Sequence, residues 1–498
     1  MLVGSLAACG GGSSSPATST PPPTTDCSGS TASIAKAAAK PSAHNAAVTP
    51  QASSPLSLAF FGMHIDDGLI ANPATLPWPF SGLPQTASGS PFGTIRMHDT
   101  ETTWNDIDKG NGTYDFTTLD QWRGLYKDNP PQSGSYQIMY TFTETPGYAS
   151  SDTSNSCTSN NGNTHPAGSC APPSDVCSDG SGTDAAFTNF VTALATHVNT
   201  DSLPAIHNWE IWNEPNITGF WTGTPAQLAR MAQDARCVIK GGDNCNSQTT
   251  YSAKGIDPTA RMHTPAPVTT NDYANTNPSI DSPDGWLTAY FNAGGGKFAD
   301  VVDFHGYVGG NPIENVVPLV QKVQGVAGTL PLWDSEIGFN PVDVTDPYTQ
   351  AGWLAKTYLL QGGLGVQTVA WFEFGATNVG ELFIPGQASS ITPLGTYNTA
   401  GLDYAVLSGW LAGATPTGAC TSSGTVWTCG FTVSGGAQAE AVWDSSQTCS
   451  NSSGPEVCTF SSFSPGPPFT TYSDLQGDPA QPISGNSVPI GIEPVWLQ

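Results

Sequence analysis

The sequence predicts a (β/α)₈ barrel followed by a small antiparallel β domain. Eight short apolar runs of strand type alternate with stretches that have helical spacing. After Gly413 the pattern changes to period-two alternation broken by Ser/Gly turns. The alternative fold, an open doubly wound sheet, lacks support because no G-x-G-x-x-G or phosphate-cradling loop follows any run. A chain of 498 residues has room for one barrel and one smaller domain.

Each predicted strand is an apolar or aromatic run that ends in polar or chain-breaking residues. The fourth ends on Asn213-Glu214-Pro215, and proline cannot continue a β ladder. The fifth has the least pronounced pattern. In chain order the predicted strands are Leu58–His64, Thr94–His98, Gln137–Thr143, His207–Trp212, Ala260–Thr264, Val301–His305, Leu330–Glu336 and Val366–Phe372.

The helices are predicted from apolar spacing and from their start signals. Thr224 followed by Pro225 is typical of a cap and a first-turn proline, and Thr117 or Thr118 would cap an earlier helix. The other predicted helices cover about residues 184–199, 348–361 and 402–411. We assign residues 56–413 to the barrel and 414–498 to the β domain, which would be either a binding module or a packed accessory sandwich.

The charge balance limits the possible partners. The chain carries 40 acidic and 14 basic residues, a net charge of −26, and charged residues make up only 11% of it. It therefore offers no general cationic surface to nucleic acid or to an anionic membrane. This composition fits a secreted protein that meets neutral substrates.

The start of the chain resembles a bacterial lipoprotein signal. Residues 6–10 read Leu-Ala-Ala-Cys-Gly, like a lipobox with Cys9 as the lipidated residue, and residues 1–9 would be the remnant of the signal. Residues 10–55 are rich in Ser, Thr, Pro and Ala and would form a linker, with Cys27 tied to the body. We therefore expect a protein of the bacterial cell envelope, lipid-anchored or secreted, that touches a membrane only through Cys9.

Ten cysteines remain once Cys9 is set aside. An even number is typical of disulfides formed in an oxidising compartment. The alternatives are free thiols or a metal site, and no C-x-x-C with companion histidines supports the latter. The pairs 237/245, 420/429 and 449/458 are close enough in sequence to close short disulfide loops. Three further cysteines indicate that the long loop 149–183 is ordered at the rim of the barrel.

Two glutamates stand where a barrel enzyme carries its chemistry. Glu214 and Glu336 fall at the carboxyl ends of predicted strands 4 and 7, which lie nearly opposite each other in an eight-stranded ring. Hydrolysis of a glycosidic bond needs two such carboxyl groups, one as acid and one as nucleophile or base. Asp334 and Glu373 are rivals for the second position.

These motifs resemble the clan A glycoside hydrolases, which are retaining (β/α)₈ enzymes, with the closest likeness to glycoside hydrolase family 39 and its relatives. The likeness rests on Asn213-Glu214-Pro215 with Glu336, on the Trp104–Trp122 segment, and on the closing stretches 472–477 and 494–497. It covers about residues 56–498. It implies that Glu214 is the general acid/base and Glu336 the nucleophile.

The resemblance also implies roles for five neighbours of the two glutamates. Asn213 would donate to the sugar 2-hydroxyl, and Arg96 would keep Glu336 ionised. Tyr307 would donate to Glu336, His305 would line the same wall, and Trp371 would form the floor on which the sugar stacks. The alternatives are structural: Arg96 could pair with the deeper Glu210, and the other side chains could simply pack.

The predicted function is that of a retaining β-glycosidase acting on a β-linked polysaccharide or oligosaccharide. It would need no metal or organic cofactor, would bind no nucleic acid, and would work as a monomer. One alternative is a non-catalytic carbohydrate-binding surface lipoprotein. Another is a metal-dependent hydrolase, which requires clustered histidines and aspartates at the strand ends.

Overall fold

The fold is taken from a computed structural model of the chain. It describes residues 54–65, 68–71, 78–81, 83, 89–158, 164–242, 245, 254–269, 282–340, 343–375, 380–384, 396–450 and 457–498. Cys9 with the expected lipobox, Cys27, and the expected linker as far as residue 53 lie outside these ranges.

Eight parallel strands form the barrel, as predicted. They are β1 Phe61–Ile65, β2 Thr94–Met97, β3 Gln137–Thr141, β4 Asn208–Glu210, β5 Arg261–His263, β6 Val302–His305, β7 Leu332–Ile337 and β8 Thr368–Phe374. Neighbours along the chain pair in the order β5-β4-β3-β2-β1-β8-β7-β6. Parallel bridges from His263 to Val301 and from Val268 to His305 close the ring between β5 and β6.

The first strand is shorter than predicted. Leu58–Phe60 form a 3₁₀ turn, in which the Phe60 N–H donates to the Ser57 carbonyl at 3.0 Å. Leu56 exchanges backbone hydrogen bonds with Gly413 and Ala414, so this segment joins the last helix of the barrel before the chain enters β1. An apolar run can enter a core as a turn or as a strand, and alternation cannot tell the two apart.

Nine helices lie in the described ranges, most of them around the barrel. They are α1 Gly68–Ala71, α2 Trp104–Ile107, α3 Thr117–Asp128, α4 Ala185–Thr200, α5 Pro225–Ile239, α6 Pro283–Asn292, α7 Val316–Ala327, α8 Pro347–Gly363 and α9 Thr399–Leu411. Thr224 caps α5 as predicted, in a reciprocal capping box with Gln227. The predicted cap of α3 was wrong: Phe116 holds that position, and the Thr117 N–H binds the Asp115 side chain instead.

Short strands follow the barrel. β9 Phe383–Ile384 and β10 Thr396–Tyr397 pair antiparallel before α9. A separate antiparallel sheet and two small ladders then form the sandwich-like domain. Its strands are β11 Thr415–Pro416, β12 Thr421–Ser423, β13 Val426–Thr432, β14 Gln438–Asp444, β15 Cys449–Ser450, β16 Val457–Cys458, β17 Ser461–Phe463, β18 Thr471–Ser473, β19 Gln481–Pro482, β20 Val488–Ile490 and β21 Val495–Leu497.

A tryptophan of the β domain binds a buried ion pair of the barrel. The Lys356 ammonium of α8 lies 3.2 Å from the Glu314 carboxylate, and the Trp443 indole of β14 donates to the same oxygen at 2.8 Å. Lys356 is only 1% exposed. Trp410 of α9 stacks on Trp496 of β21 nearby, with ring centroids 5.6 Å apart. These contacts hold the β domain against the barrel.

We predict that Lys356→Ala lowers the free energy of unfolding by about 3 kcal/mol, because it leaves Glu314 as an uncompensated buried charge. Urea unfolding followed by tryptophan fluorescence would measure the change. Lys127→Ala, at an exposed lysine of α3, is the matched control and should stay within about 0.5 kcal/mol of the wild type. Equal stabilities of the two variants would contradict the assigned role of the pair.

Four disulfides are present in the described ranges. Three are the predicted pairs Cys237–Cys245, Cys420–Cys429 and Cys449–Cys458, and the fourth, Cys157–Cys170, lies within the long loop. Disulfides persist in oxidising compartments, which indicates an extracellular or periplasmic protein. Among the described residues, no helix has the length and apolar character needed to cross a membrane.

Candidate active site

The two predicted carboxylates meet at the carboxyl ends of the strands. One oxygen of Glu214, one oxygen of Glu336 and a ring nitrogen of His305 all lie within 4.8 Å of one another. Both glutamates are largely buried, with 9% and 8% of their surface exposed. In glycosidases that retain configuration, the two carboxyl groups are about 5–5.5 Å apart. The two carboxyl groups therefore lie close enough together to act on one bond.

The backbone aims each carboxylate at the mouth of the barrel. Glu214 has a left-handed φ of +39°, held by its N–H donating to the Ala266 carbonyl at 3.0 Å. Such a conformation costs a non-glycine residue free energy and is typical of functional sites. Irregular pairing between Asp334 and Ile337 interrupts the β7–β8 register where Glu336 lies. A bulge of this kind redirects a side chain.

Arg96 lies at the centre of the site and is completely buried. Its Nη1 donates to Glu336 Oε2 at 2.7 Å, and its Nη2 donates to Asn213 Oδ1 at 2.9 Å. Its Nε and Nη2 also donate to Glu210 Oε2, at 2.8 and 2.5 Å. The sequence left two alternatives for Arg96, a partner of the nucleophile or of Glu210. The structure shows that one guanidinium contacts both.

His305 and Tyr307 complete the wall beside the carboxylates. His305 Nδ1 lies 2.9 Å from Glu214 Oε1, and its Nε2 lies 3.8 Å from Glu336 Oε2. Burial and the charge of Arg96 lower the pKa of His305 well below its usual value, so the imidazole is neutral. The Tyr307 hydroxyl donates to Glu336 Oε1 at 3.0 Å, and burial raises its pKa, which keeps the phenol protonated.

The two glutamates have different electrostatic surroundings. Burial raises the pKa of Glu214 well above its usual range, and the charge of Glu336 raises it further. Burial also raises the pKa of Glu336, but the positive charges of Arg96 and His98 oppose that shift. Glu214 faces a neutral imidazole while Glu336 faces a guanidinium. Burial and the charge of Glu336 therefore favour the protonated form of Glu214, while Arg96 and His98 favour the ionised form of Glu336.

Trp371 lies away from the mouth. Its side chain has no exposed surface, its indole N–H donates to the Gly380 carbonyl at 2.7 Å, and its ring packs on Phe339 and Tyr358. It presents no open face to a sugar. The neighbouring Phe372 is partly exposed, and its ring lies edge-on against the ring of His64, with centroids 5.2 Å apart. Sequence reasoning chose Trp371 and missed Phe372. Residues next to each other in a strand face opposite sides, so only one of the two can face the site.

The other candidate residues take supporting positions. Asp334 accepts hydrogen bonds from the Gly306 N–H at 2.9 Å and from the Gln361 amide at 2.6 Å, so its side chain is engaged beside β7. Glu144 binds His165 of the long loop at 2.8 Å and Thr103 at 3.1 Å. Because Glu144 follows β3, these contacts bring the disulfide-bonded loop to the rim of the barrel mouth.

Comparison with known proteins gives no match to a protein-family model and none to a curated protein sequence. Among solved structures, a family 39 glycoside hydrolase from the gut symbiont Bacteroides cellulosilyticus WH2 is similar over 89% of this chain and 81% of its own, with a TM-score of 0.54 and 15% identity. The chain shares its fold with clan A glycoside hydrolases.

Two further solved structures have the same fold. An endo-β1,6-glucanase has a TM-score of 0.52 at 11% identity, covering 89% of this chain and 91% of its own. The GH51 arabinofuranosidase from Xanthomonas axonopodis pv. citri has a TM-score of 0.50 at 10% identity, covering 90% and 98%. At these identities the likeness establishes the fold, so the function has to be argued from the site.

Proposed function

We propose that the protein is a retaining β-glycosidase that hydrolyses a β-linked polysaccharide or oligosaccharide by double displacement. The observation that carries this proposal is the asymmetric pair itself: two buried carboxyl groups within 4.8 Å, one beside the neutral His305 and the other on the cation of Arg96. Retention needs one protonated and one ionised carboxyl at this separation. Only 11% of the residues are charged, and the excess is acidic, which suits neutral sugars.

In the first step, an oxygen of Glu336 forms a bond to the anomeric carbon as the glycosidic bond breaks. Glu214 gives its proton to the departing oxygen, which leaves as an alcohol. The product is a glycosyl ester on Glu336. Asn213 is placed to bind the 2-hydroxyl, since its Oδ1 is held by Arg96 and its amide N–H groups remain for the sugar. The bond to the 2-hydroxyl strengthens in the oxocarbenium-like transition state.

In the second step, Glu214 is ionised and takes a proton from water as the water attacks the anomeric carbon. The ester bond breaks, Glu336 leaves as a carboxylate, and two displacements restore the original β configuration. The Arg96 and Tyr307 donors stabilise the charge that returns to Glu336. Phe372 takes the role predicted for Trp371, as the aromatic surface under the sugar.

A panel of β-glycans tests the proposal. We expect at least one glycan to yield new reducing ends, and proton NMR of the first product should show the β anomer before mutarotation. Initial release of the α anomer from a β-linked substrate would contradict double displacement. The alternative, a non-catalytic carbohydrate-binding protein, predicts glycan binding with no new reducing ends on any member of the panel.

A metal-dependent hydrolase is the second alternative. Glu214, His305 and Glu336 are close enough to hold an ion. However, Arg96 already lies 2.7 Å from Glu336, and its positive charge opposes a second cation there. We therefore propose catalysis by the carboxyl groups themselves, and treatment with EDTA should leave the rate unchanged.

We also propose the placement and organisation of the chain. Cys9 would carry a lipid that tethers a monomeric barrel of residues 56–413 and a β domain of residues 414–498 to the bacterial cell envelope through the 10–55 linker. Expression of the full chain with and without Cys9→Ser, followed by detergent phase partition, tests the anchor. Equal recovery of both proteins in the aqueous phase would contradict it.

A further inference from the structure

A third carboxylate lies beneath the catalytic pair, and neither catalytic role uses it. Glu210 is on β4, four residues before Glu214, and its side chain is completely buried. One oxygen, Oε2, accepts from Arg96 Nε at 2.8 Å, from Arg96 Nη2 at 2.5 Å and from the Thr141 hydroxyl at 2.7 Å. Burying a carboxylate this deeply costs free energy, and its pairing with Arg96 offsets that cost.

The contacts of Glu210 set the orientation of Arg96. A guanidinium is planar and presents its N–H donors in a rigid fork. Glu210 takes the edge formed by Nε and Nη2. That leaves Nη1 directed at Glu336, at 2.7 Å, and the second hydrogen of Nη2 directed at Asn213, at 2.9 Å. A rotation of the plane would break the contact to the nucleophile and the contact to the amide together.

Glu210 also sets how much positive charge the catalytic pair experiences. One guanidinium is shared between two carboxylates, so part of its charge is already neutralised from below. A negative charge at Glu210 also raises the proton affinity of Glu214, because like charges disfavour ionisation. By partly neutralising Arg96, it weakens the stabilisation of the ionised form of Glu336. Glu210 thereby acts on both catalytic groups without touching the substrate.

We propose that Glu210 is a positioning residue for the glycosidase reaction: it holds the Nε–Nη2 edge of Arg96 so that the remaining N–H groups meet the nucleophile and the amide that binds the 2-hydroxyl. This inference rests on the proposed function. It gives a role to Glu210, which the two-carboxylate mechanism does not use.

Asp303 of β6 provides a matched control. It is completely buried and lies 2.9 Å from Nδ1 of His263, but it makes no hydrogen bond or ion pair to Arg96 among the described residues. Burial raises the pKa of Asp303 to about 8, so its neutral form dominates at neutral pH and asparagine imitates it. The titratable and charged groups facing Glu210 are Arg96 of β2, Glu214 after β4, His263 of β5, Asp303 of β6 and Glu336 of β7.

The test is the pH profile of kcat/KM for Glu210→Gln, measured on an aryl β-glycoside of whichever sugar the wild type cleaves. Glutamine keeps the shape and loses the charge. We expect both limbs of the profile to move to lower pH by about one unit. We also expect kcat to fall by about 100-fold, because a slight displacement of Arg96 misplaces the reacting groups. Asp303→Asn should keep the wild-type limbs.

A second variant covers the case in which Glu210→Gln does not fold. Thr141→Val removes one donor to Glu210 Oε2 and should move both limbs in the same direction by a smaller amount, since a carboxylate that loses a hydrogen bond holds its proton more tightly. Wild-type limbs in a folded Glu210→Gln variant, or in Thr141→Val if only that variant folds, would overturn the positioning role. Equal shifts in Asp303→Asn would overturn it too. Inactivity of the wild type on every β-glycan would instead overturn the proposed function.

Discussion

Replacing Glu336 by alanine is expected to reduce turnover by roughly 10⁴- to 10⁶-fold, the range found when a nucleophile is removed from an enzyme. Without the carboxylate no glycosyl ester can form, and the donors of Arg96 and Tyr307 would face an empty space. The loss should appear with every substrate, including glycosides with good leaving groups, because it concerns the group that forms the new bond.

Reaction of the Glu336→Ala variant with azide tests whether Glu336 acts as the nucleophile. The cavity left by Glu336→Ala should admit the small anion on the face of the sugar from which the carboxylate attacks. A single displacement then yields an α-glycosyl azide from a β-glycoside, with inverted configuration. Product configuration by NMR is the measurement, and near-normal hydrolysis by Glu336→Ala would show that another group is the nucleophile.

Asp334→Asn is the matched control for that variant. Asp334 is on the same strand and is fully buried, and burial raises its pKa well above the usual value, which favours its neutral form. Asparagine is therefore close to the native state in charge and shape. Turnover should stay within about tenfold of the wild type, since the Asp334 side chain binds the Gly306 N–H and the Gln361 amide and, among the described residues, neither catalytic carboxyl group.

Much of the barrel could be predicted from the sequence because local signals mark its strand ends. Asn213-Glu214-Pro215 shows the principle: an apolar run gives the strand, proline ends it, and the polar residues between must lie at the mouth. The three short-range disulfides could be predicted for the same reason, because their partners lie eight or nine positions apart in the sequence. Glu214 and Glu336 could be found because each lies where its strand ends.

The features that were missed depend on contacts across the barrel. The sequence offered Arg96 to the nucleophile or to Glu210 as alternatives, and only the convergence of β2, β4 and β7 shows that one guanidinium meets both. Trp371 was predicted to form the floor under the sugar, but its side chain is fully buried and the partly exposed aromatic side chain of β8 is Phe372. Trp371 and Phe372 are both large and aromatic, so composition cannot rank them, and their facing is set by the register against β1 and β7.

The loss of rate in Glu214→Ala is expected to depend on the leaving group of the substrate. A general acid contributes about 10²- to 10⁴-fold, and it does so by protonating the departing oxygen. Aryl glycosides with acidic phenols need no such help, so their first step should remain within about tenfold of the wild type, whereas natural glycans should lose about 10⁴-fold. Pre-steady-state release of the phenol is the measurement that isolates the first step.

The pH dependence of this variant follows from the pKa of the acid. Burial and the charge of Glu336 raise the pKa of Glu214, and the free enzyme needs Glu214 protonated. Wild-type kcat/KM should therefore hold below that pKa and fall as the pH rises through it. In Glu214→Ala the alkaline limb should vanish, while the acidic limb set by Glu336 remains.

Azide again distinguishes the roles of the two glutamates. In Glu214→Ala the glycosyl ester still forms on Glu336, but no base activates water for the second step. Azide needs no base, so it should accelerate turnover and give a β-glycosyl azide with retained configuration, opposite to the product of Glu336→Ala. Complete loss of the first step on activated aryl glycosides would contradict the acid role. An α-azide from both variants would show that the two carboxylates do not divide the reaction as their partners Arg96 and His305 indicate.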